Sequence, residues 1–326
     1  MLFAAGAILL GLLLLIWSAD RFVAGASGIA KSFNMSPLLI GMIIVGFGTS
    51  APELFVSSIA TFNGDFDLAI GNAIGSNIVN TCLILGITAL IAPIVVSSSI
   101  VRRELPILLG ISIVFGGFIW DSTLSRLDAG LLLVGFVGLV VWTIKTANKQ
   151  QSDPLEAEFE QELSSRSMNP KAAIFWTIVG LVVLIVSSRV LVWGAVNVAE
   201  ALGVSKLVIG LTIIAFGTSF PELVTSIVAA LKGEHDVAIG NVIGSNMFNL
   251  LAVVGVAGIV RPMDHFSSTV FARDWPVMLF CTAVLFVMAL GFKGHGKIGR
   301  WEGAILLCMY SIYTYIVIAH TTALAV

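Results

Sequence analysis

Charge is what this sequence has least of. Lysine, arginine, aspartate and glutamate make up 11% of its 326 residues, against about a quarter in a soluble domain. With 58% of residues hydrophobic, there is too little polar surface to face water on all sides, and the chain reads as an all-α integral membrane protein. The formal charge is -2 with no basic stripe, so nothing points to nucleic acid. Cysteine is scarce. Cys82, Cys281 and Cys308 lie in apolar runs without paired spacing, which argues for small core residues over a disulfide framework or thiolate metal centre. Histidines 235, 265, 295 and 320 are scattered, which argues against an imidazole-bound metal. No cofactor is implied. The apolar residues 2–17 lack a positively charged lead-in and are expected to stay as the first spanning helix.

A span needs about 20 mostly apolar residues. Ten windows qualify, at 2–23, 37–61, 68–92, 104–120, 125–146, 172–196, 206–230, 237–260, 273–292 and 301–321. The first and sixth keep helix-compatible patterns to about residues 31 and 200. Residues 148–170 form the one sizeable polar stretch, read as a solvated linker. With loops taken alternately, 12 of the 17 lysines and arginines fall on one side and 5 on the other. The positive-inside rule makes the richer side cytoplasmic, placing the linker inside and both termini outside an inner (cytoplasmic) membrane.

The chain then repeats itself. Shifted by 169 residues, Leu38–Thr61 matches Leu207–Ala230 at 13 of 24 positions, and Asp67–Asn80 matches Asp236–Asn249 at 10 of 14. One constant offset across two segments divides the chain into two five-helix copies, 1–147 and 171–326, joined by the linker. The repeat cores lie at about 38–92 and 207–260. Because five is odd, the second copy must enter the membrane inverted, an architecture of secondary transporters with a site near the midplane.

What repeats is polar. GFGTSAPEL (46–54) and AFGTSFPEL (215–223) each set a proline beside a glutamate within an apolar run. Pro52 and Pro221 cannot donate an N–H, so a kinked turn with free carbonyls from about Gly46 to Thr49 is expected. Thr49 and Ser50 share the helical face of Glu53, and Ser57 extends it. Ala215, Thr218, Ser219, Glu222 and Ser226 rebuild the cluster. In the following span Asn72, Ser76 and Asn80 recur at i, i+4 and i+8, matched by Asn241, Ser245 and Asn249. Asp67 and Asp236 are read as N-caps. A carboxylate at the centre of a span costs about 3 kcal/mol or more to insert, and the central spans hold no lysine or arginine to pair with it. Carboxylates, hydroxyls, amide oxygens and carbonyls without thiol or imidazole suit Ca²⁺ and Na⁺.

GTSAPE and GTSFPE, each followed by GNxIGSN, resemble the two α-repeats of the cation/calcium exchanger superfamily in its prokaryotic sodium/calcium exchanger branch, and the likeness covers nearly the whole chain. The resemblance implies ten transmembrane helices in two inverted repeats and exchange of Na⁺ for Ca²⁺. It makes Glu53 and Glu222 shared ligands of a central Ca²⁺ site, completed by the backbone oxygens of Thr49 and Thr218. Gly46, Ser50 and Ser76 with Glu222, and Ala215, Ser219 and Ser245 with Glu53, would form flanking Na⁺ sites. Asn80 and Asn249 would finish the central diamond; Asn249 stands where some members carry aspartate. The first and sixth helices resemble the family's gating pair.

Proton-coupled exchange of Ca²⁺ or another divalent cation is the main alternative, although proton-coupled relatives usually show GNAxE in place of GTSxPE. A channel needs no doubled, inverted ligand set. An intramembrane hydrolase would need a base beside Ser50 or Ser219, and no histidine or lysine is near either. The chain is therefore read as a transporter, not an enzyme. A monomer holds both copies, so beyond the bilayer and the two ions no protein partner is required.

Overall fold

The computed structural model describes residues 2–33, 35–147, 168–202, 215–290 and 296–324. Nearly all are helical: α1 (Leu2–Ser32), α2 (Pro37–Thr49), α3 (Ala51–Asn63), α4 (Phe66–Ile91), α5 (Leu105–Phe118), α6 (Arg126–Ala147), α7 (Pro170–Ala201), α8 (Ala215–Gly217), α9 (Phe220–Leu231), α10 (His235–Val260), α11 (Val270–Leu290) and α12 (Arg300–Leu324). Seven of these, α1, α4, α6, α7, α10, α11 and α12, are long and apolar enough to cross a bilayer, and the interrupted pair α2–α3 makes an eighth. The chain is a multi-pass membrane protein. Of the ten expected spans, the fourth is represented by the 14-residue α5, entered through a wide turn at Ile100–Glu104. The seventh falls partly in 203–214, outside the described residues, as does most of the linker. α1 and α7 do run on, to 31 and 32 residues.

Two details differ from the sequence reading. The N-cap of α4 is Asp65, whose carboxylate accepts from Leu68 N at 3.1 Å. Asp67 sits two residues on, in the first turn, where its carboxylate accepts from Ser267 N; Asp236 likewise lies in the first turn of α10. Gly64 and Gly233 take positive φ (85° and 77°) in the turns that follow α3 and α9, a conformation open to glycine. Cys308 is exposed on α12, whereas Cys82 and Cys281 are buried as expected.

The described chain forms two compact units that do not follow the sequence halves: Met1–Ser50 with Val134–Gly244, and Ala51–Leu133 with Ser245–Val326. Each takes segments from both copies.

In the first unit α1 and α7 run antiparallel, held close by glycines. A Cβ placed on Gly25 would lie 2.6 Å from Thr177 N, one on Gly180 2.7 Å from Phe22 N, and one on Gly194 2.7 Å from Ala4 O. The contacts are exchanged between repeat mates. Gly11 meets Leu191 as Gly180 meets Phe22, and Gly25 meets Thr177 and Ala173 as Gly194 meets Ile8 and Ala4. Lipid gives helices no hydrophobic drive to associate, so this backbone-to-backbone packing supplies the attraction. Trp176 lies between Trp17, edge-on at 6.1 Å, and the Arg21 guanidinium, 5.1 Å from its ring. Near the end of α9, Lys232 Nζ reaches Asp20 Oδ1 at 2.8 Å and donates to the Asp20 carbonyl. α2 rests on α10 through Gly41 and Gly240.

In the second unit the loops clasp in the same exchanged fashion. β1 (Ile94–Val96) pairs antiparallel with β2 (Gly296–Ile298), and Leu124 bridges Met263. Ile94 and Met263 are themselves 169 residues apart. α4 meets α12 at facing glycines, Gly86 and Gly303, while Trp275 of α11 covers Gly116 of α5 and donates to the Ser112 carbonyl at 2.8 Å.

Because the α1–α7 contact has no room for a Cβ, Gly25→Val should destabilise the detergent-solubilised protein by about 1–3 kcal/mol through overpacking. Gly138→Val, where nothing lies within 4 Å, should change stability by no more than about 0.5 kcal/mol. Thermal unfolding of both variants beside the parent checks this.

Candidate cation site

The two GTSxPE segments adopt the same broken-helix geometry. α2 ends at Thr49, Ser50 takes φ −84°, ψ 8°, and α3 restarts at Ala51; Ser219 takes φ −90°, ψ 7° between α8 and α9. Pro52 and Pro221 fall in the first turn of the restarted helices, where a missing N–H leaves no bond broken. The break therefore sits later than the sequence suggests. Gly46 O is not free, since it accepts from Ser50 N at 3.2 Å and from the Thr49 hydroxyl at 3.3 Å, and Gly48 O accepts from Ser50 N. Restarting at Ala51 and Phe220 places Glu53 and Glu222 in a first turn, where the helix dipole favours negative charge.

The twelve candidate residues divide between the units. Gly46, Thr49, Ser50, Ala215, Thr218, Ser219 and Glu222 belong to the first; Glu53, Ser76, Asn80, Ser245 and Asn249 belong to the second. Both glutamates are 1% exposed.

In the first unit a closed ring of bonds holds Glu222. Ser50 donates to Glu222 Oε1 at 2.9 Å. The adjoining Thr49 hydroxyl faces Val45 O at 3.0 Å and Gly46 O at 3.3 Å on its own helix and Asn241 Oδ1 at 3.1 Å across from it. Asn241 Nδ2 returns to Glu222 O at 3.1 Å and to Ser226 Oγ at 2.8 Å. Among the described residues, Glu222 Oε2 and the Thr218 hydroxyl oxygen are buried without a hydrogen-bond partner.

The second unit repeats the brace. Asn72 Nδ2 donates to Glu53 O at 3.2 Å and to Ser57 Oγ at 2.9 Å, and Ser57 donates to Ala69 O. Ser76 and Ser245 are buried on the same helices. Deeper along α4 and α10, at the entry to wide turns Val79–Ile84 and Asn249–Val253, lies an amide network. Asn80 Nδ2 donates to Asn246 Oδ1 (3.2 Å) and Asn249 Nδ2 to Asn77 Oδ1 (3.1 Å). Asn80 Oδ1 and Asn249 Oδ1 have no hydrogen-bond partner among the described residues, in side chains 1% and 0% exposed. A buried acceptor left this way costs about 1–3 kcal/mol, and a carboxylate oxygen more.

Sequence reasoning missed Asn77, Asn246 and Thr81 here, and read Asn72 and Asn241 only as part of the polar stripe. The signal was present, since both copies read GSN. A straight helix, however, turns Asn77 about 100° away from the stripe of Asn72, Ser76 and Asn80.

The model of the family described as "sodium/calcium exchanger protein" matches residues 3–145 and 172–319. Among curated proteins, a putative antiporter CaxA from Alkalimonas amylolytica is 46% identical over 97% of this chain and 99% of its own length. The sodium/calcium exchanger MaX1 of Methanosarcina acetivorans is 30% identical over 93% and 95%. Among solved structures, the sodium-calcium exchanger NCX_Mj, soaked with Na⁺ and Ca²⁺, superposes with a TM-score of 0.80 at 33% identity, covering 95% of this chain and 96% of that one.

Asn241 ties α2, α9 and α10 through three side-chain bonds in a buried setting. Asn241→Leu should lower stability by about 1–3 kcal/mol by stranding Ser226 and loosening Thr49, read as a lower unfolding midpoint in ion-free detergent solution.

Proposed function

The chain belongs to the sodium/calcium exchanger family, and from that premise we propose that it exchanges Na⁺ for Ca²⁺ across the cytoplasmic membrane by alternating access, in the direction that extrudes Ca²⁺. One observation carries the reading. Two nearly water-free glutamates recur 169 residues apart, each in the first turn of a restarted helix, with its carbonyl held by an asparagine of the next helix. A carboxylate oxygen with no donor beside it among the described residues, as at Glu222 Oε2, calls for a positive charge, and a transported cation supplies one.

In this reading Glu53 and Glu222 are the charged ligands of Ca²⁺, joined by the backbone oxygens of Thr49 and Thr218. Ser50, Ser76 and Gly46 on one side, and Ser219, Ser245 and Ala215 on the other, take Na⁺, while Asn80 and Asn249 supply neutral oxygens. The two carboxylates can balance one Ca²⁺ or Na⁺ ions in its place, but not both sets together. Filling with one ion therefore expels the other, and the apolar helices α1 and α7 pass the site only when its charge is balanced. Ten spans in two inverted five-helix repeats, 1–147 and 171–326, with the 148–170 linker in the cytoplasm and both termini outside, complete the architecture. The exchanged contacts of α1 with α7 and of β1–β2 with Leu124–Met263 support the repeat. Transport needs no cofactor, no chemical conversion and no second chain.

The test is ⁴⁵Ca²⁺ uptake by proteoliposomes loaded with Na⁺ and diluted into choline medium at constant pH. Uptake should require the outward Na⁺ gradient and fall to background in Glu53→Gln and Glu222→Gln. Uptake driven by a pH gradient alone would move the protein to the proton-coupled class. Normal exchange in both variants would discard the site.

A further inference from the structure

We propose that Asn77 and Asn246 are positioning residues that decide which end of the Asn249 and Asn80 amides faces the transported cation, an inference that rests on the cation-site reading above. An asparagine amide ends in an oxygen that attracts a cation and an NH₂ group that repels it, and the two ends are nearly the same size. Nothing in the side chain itself selects between them. A neutral amide ligand is therefore only as good as the hydrogen bond that holds its nitrogen.

The geometry supplies that hold reciprocally. Asn249 gives its NH₂ to Asn77 Oδ1, and Asn80 gives its NH₂ to Asn246 Oδ1, at 3.1 and 3.2 Å. Asn77 and Asn246 are themselves repeat mates, as are Asn80 and Asn249. What fixes Asn77 is decisive. Its Nδ2 faces the Asn246 carbonyl at 3.2 Å and the Met278 sulfur at 3.6 Å. Neither of those atoms can donate, so the end of Asn77 that meets them must be the NH₂. Its Oδ1 is then the end offered to Asn249, which must answer with its own NH₂ and turn its Oδ1 away, into a buried position with no hydrogen-bond partner among the described residues. The orientation propagates through three groups without an alternative.

The second arm is looser. Asn246 Nδ2 donates to the Thr81 hydroxyl at 2.9 Å, and a hydroxyl can donate as readily as accept. Asn246 could reverse with Thr81 supplying the proton, and Asn80 would reverse with it. The two copies thus hold chemically identical ligands with unequal firmness, and Asn249 is the more firmly set.

Aspartate at the ligand position separates orientation from packing, because a carboxylate presents oxygen from either end. The experiment measures ⁴⁵Ca²⁺ equilibrium binding to purified protein, with Na⁺-driven uptake alongside. Asn77→Ala should raise the Ca²⁺ half-saturation about 10- to 100-fold, the usual effect of losing a ligand's supporting partner. In the Asn249→Asp background the same Asn77→Ala change should shift it by no more than about two-fold, the spread of uncoupled changes. Asn246→Ala should give a smaller rise, relieved by Asn80→Asp and not by Asn249→Asp. An Asn77→Ala protein that binds Ca²⁺ as the parent does, or one equally weakened with Asn249→Asp present, would overturn the proposal. If Asn77→Ala fails to fold, the Asn246→Ala arm decides: its loss of Ca²⁺ affinity should be relieved by Asn80→Asp, and an equal loss with Asn80→Asp present overturns the proposal. Glu222→Gln run in parallel keeps the two ideas apart. Intact Ca²⁺ binding in that variant defeats the cation-site reading, whereas its loss beside an unaffected Asn77→Ala defeats only the positioning.

Discussion

A carboxylate taken out of water must be met by donors or by a counter-charge, since even after relaxation its desolvation is worth several kcal/mol. Around Glu222 the donors among the described residues are few: one hydroxyl on Oε1, none on Oε2, and an asparagine that grips the backbone instead of the charge. The neighbourhood holds the carboxylate still without neutralising it. Much else in the first unit serves this arrangement. The helix breaks at Ser50 so that its hydroxyl can reach across, and Thr49 turns onto Asn241 so that the break does not flex. α10 lies close enough to α2 for these bonds because Gly41 and Gly240 allow backbone contact.

Hydrogen-bond supply limits the amides in the same way. In lipid an amide that is not paired stays unpaired, as there is no water to make good the loss. The asparagines at 77, 80, 246 and 249, with the Thr81 hydroxyl and the Met278 sulfur, satisfy all four amide nitrogens and, among the described residues, leave two oxygens over. Neutral oxygens of this kind moderate a cation site, because they draw ions in without adding charge that would hold them there.

Much of this was legible in the sequence because polar residues in an apolar chain are conspicuous. The repeat, the paired glutamates and the stripe of Asn72, Ser76 and Asn80 all stand out for that reason, and the long run of α1 and α7 followed from their periodicity. What escaped depends on local backbone geometry. Proline suggested a break upstream of itself with Gly46 O exposed, but Pro52 and Pro221 open new helices and Ser50 recaptures the Gly46 carbonyl. Capping by Asp65 in place of Asp67 hangs on where Gly64 turns. Asn77 and Asn246 project from a face that helical periodicity assigns elsewhere, and their partners lie 172 and 166 residues away in the chain. The clasp of β1 on β2 joins loops with no strand signal of their own.

The ion pair between Lys232 and Asp20 has a different kind of consequence. Its repeat mates are Asn63 and Arg189, which cannot form the same bond. Inverted copies with fully matched contacts would give two conformations of equal energy related by a two-fold rotation. A bond that one copy can make and the other cannot lifts that degeneracy. The side chains are 31% and 50% exposed, so the bias is small, within about 1 kcal/mol, and it weakens as ionic strength rises. A contact at the surface, remote from the buried glutamates, thus tells the two copies apart.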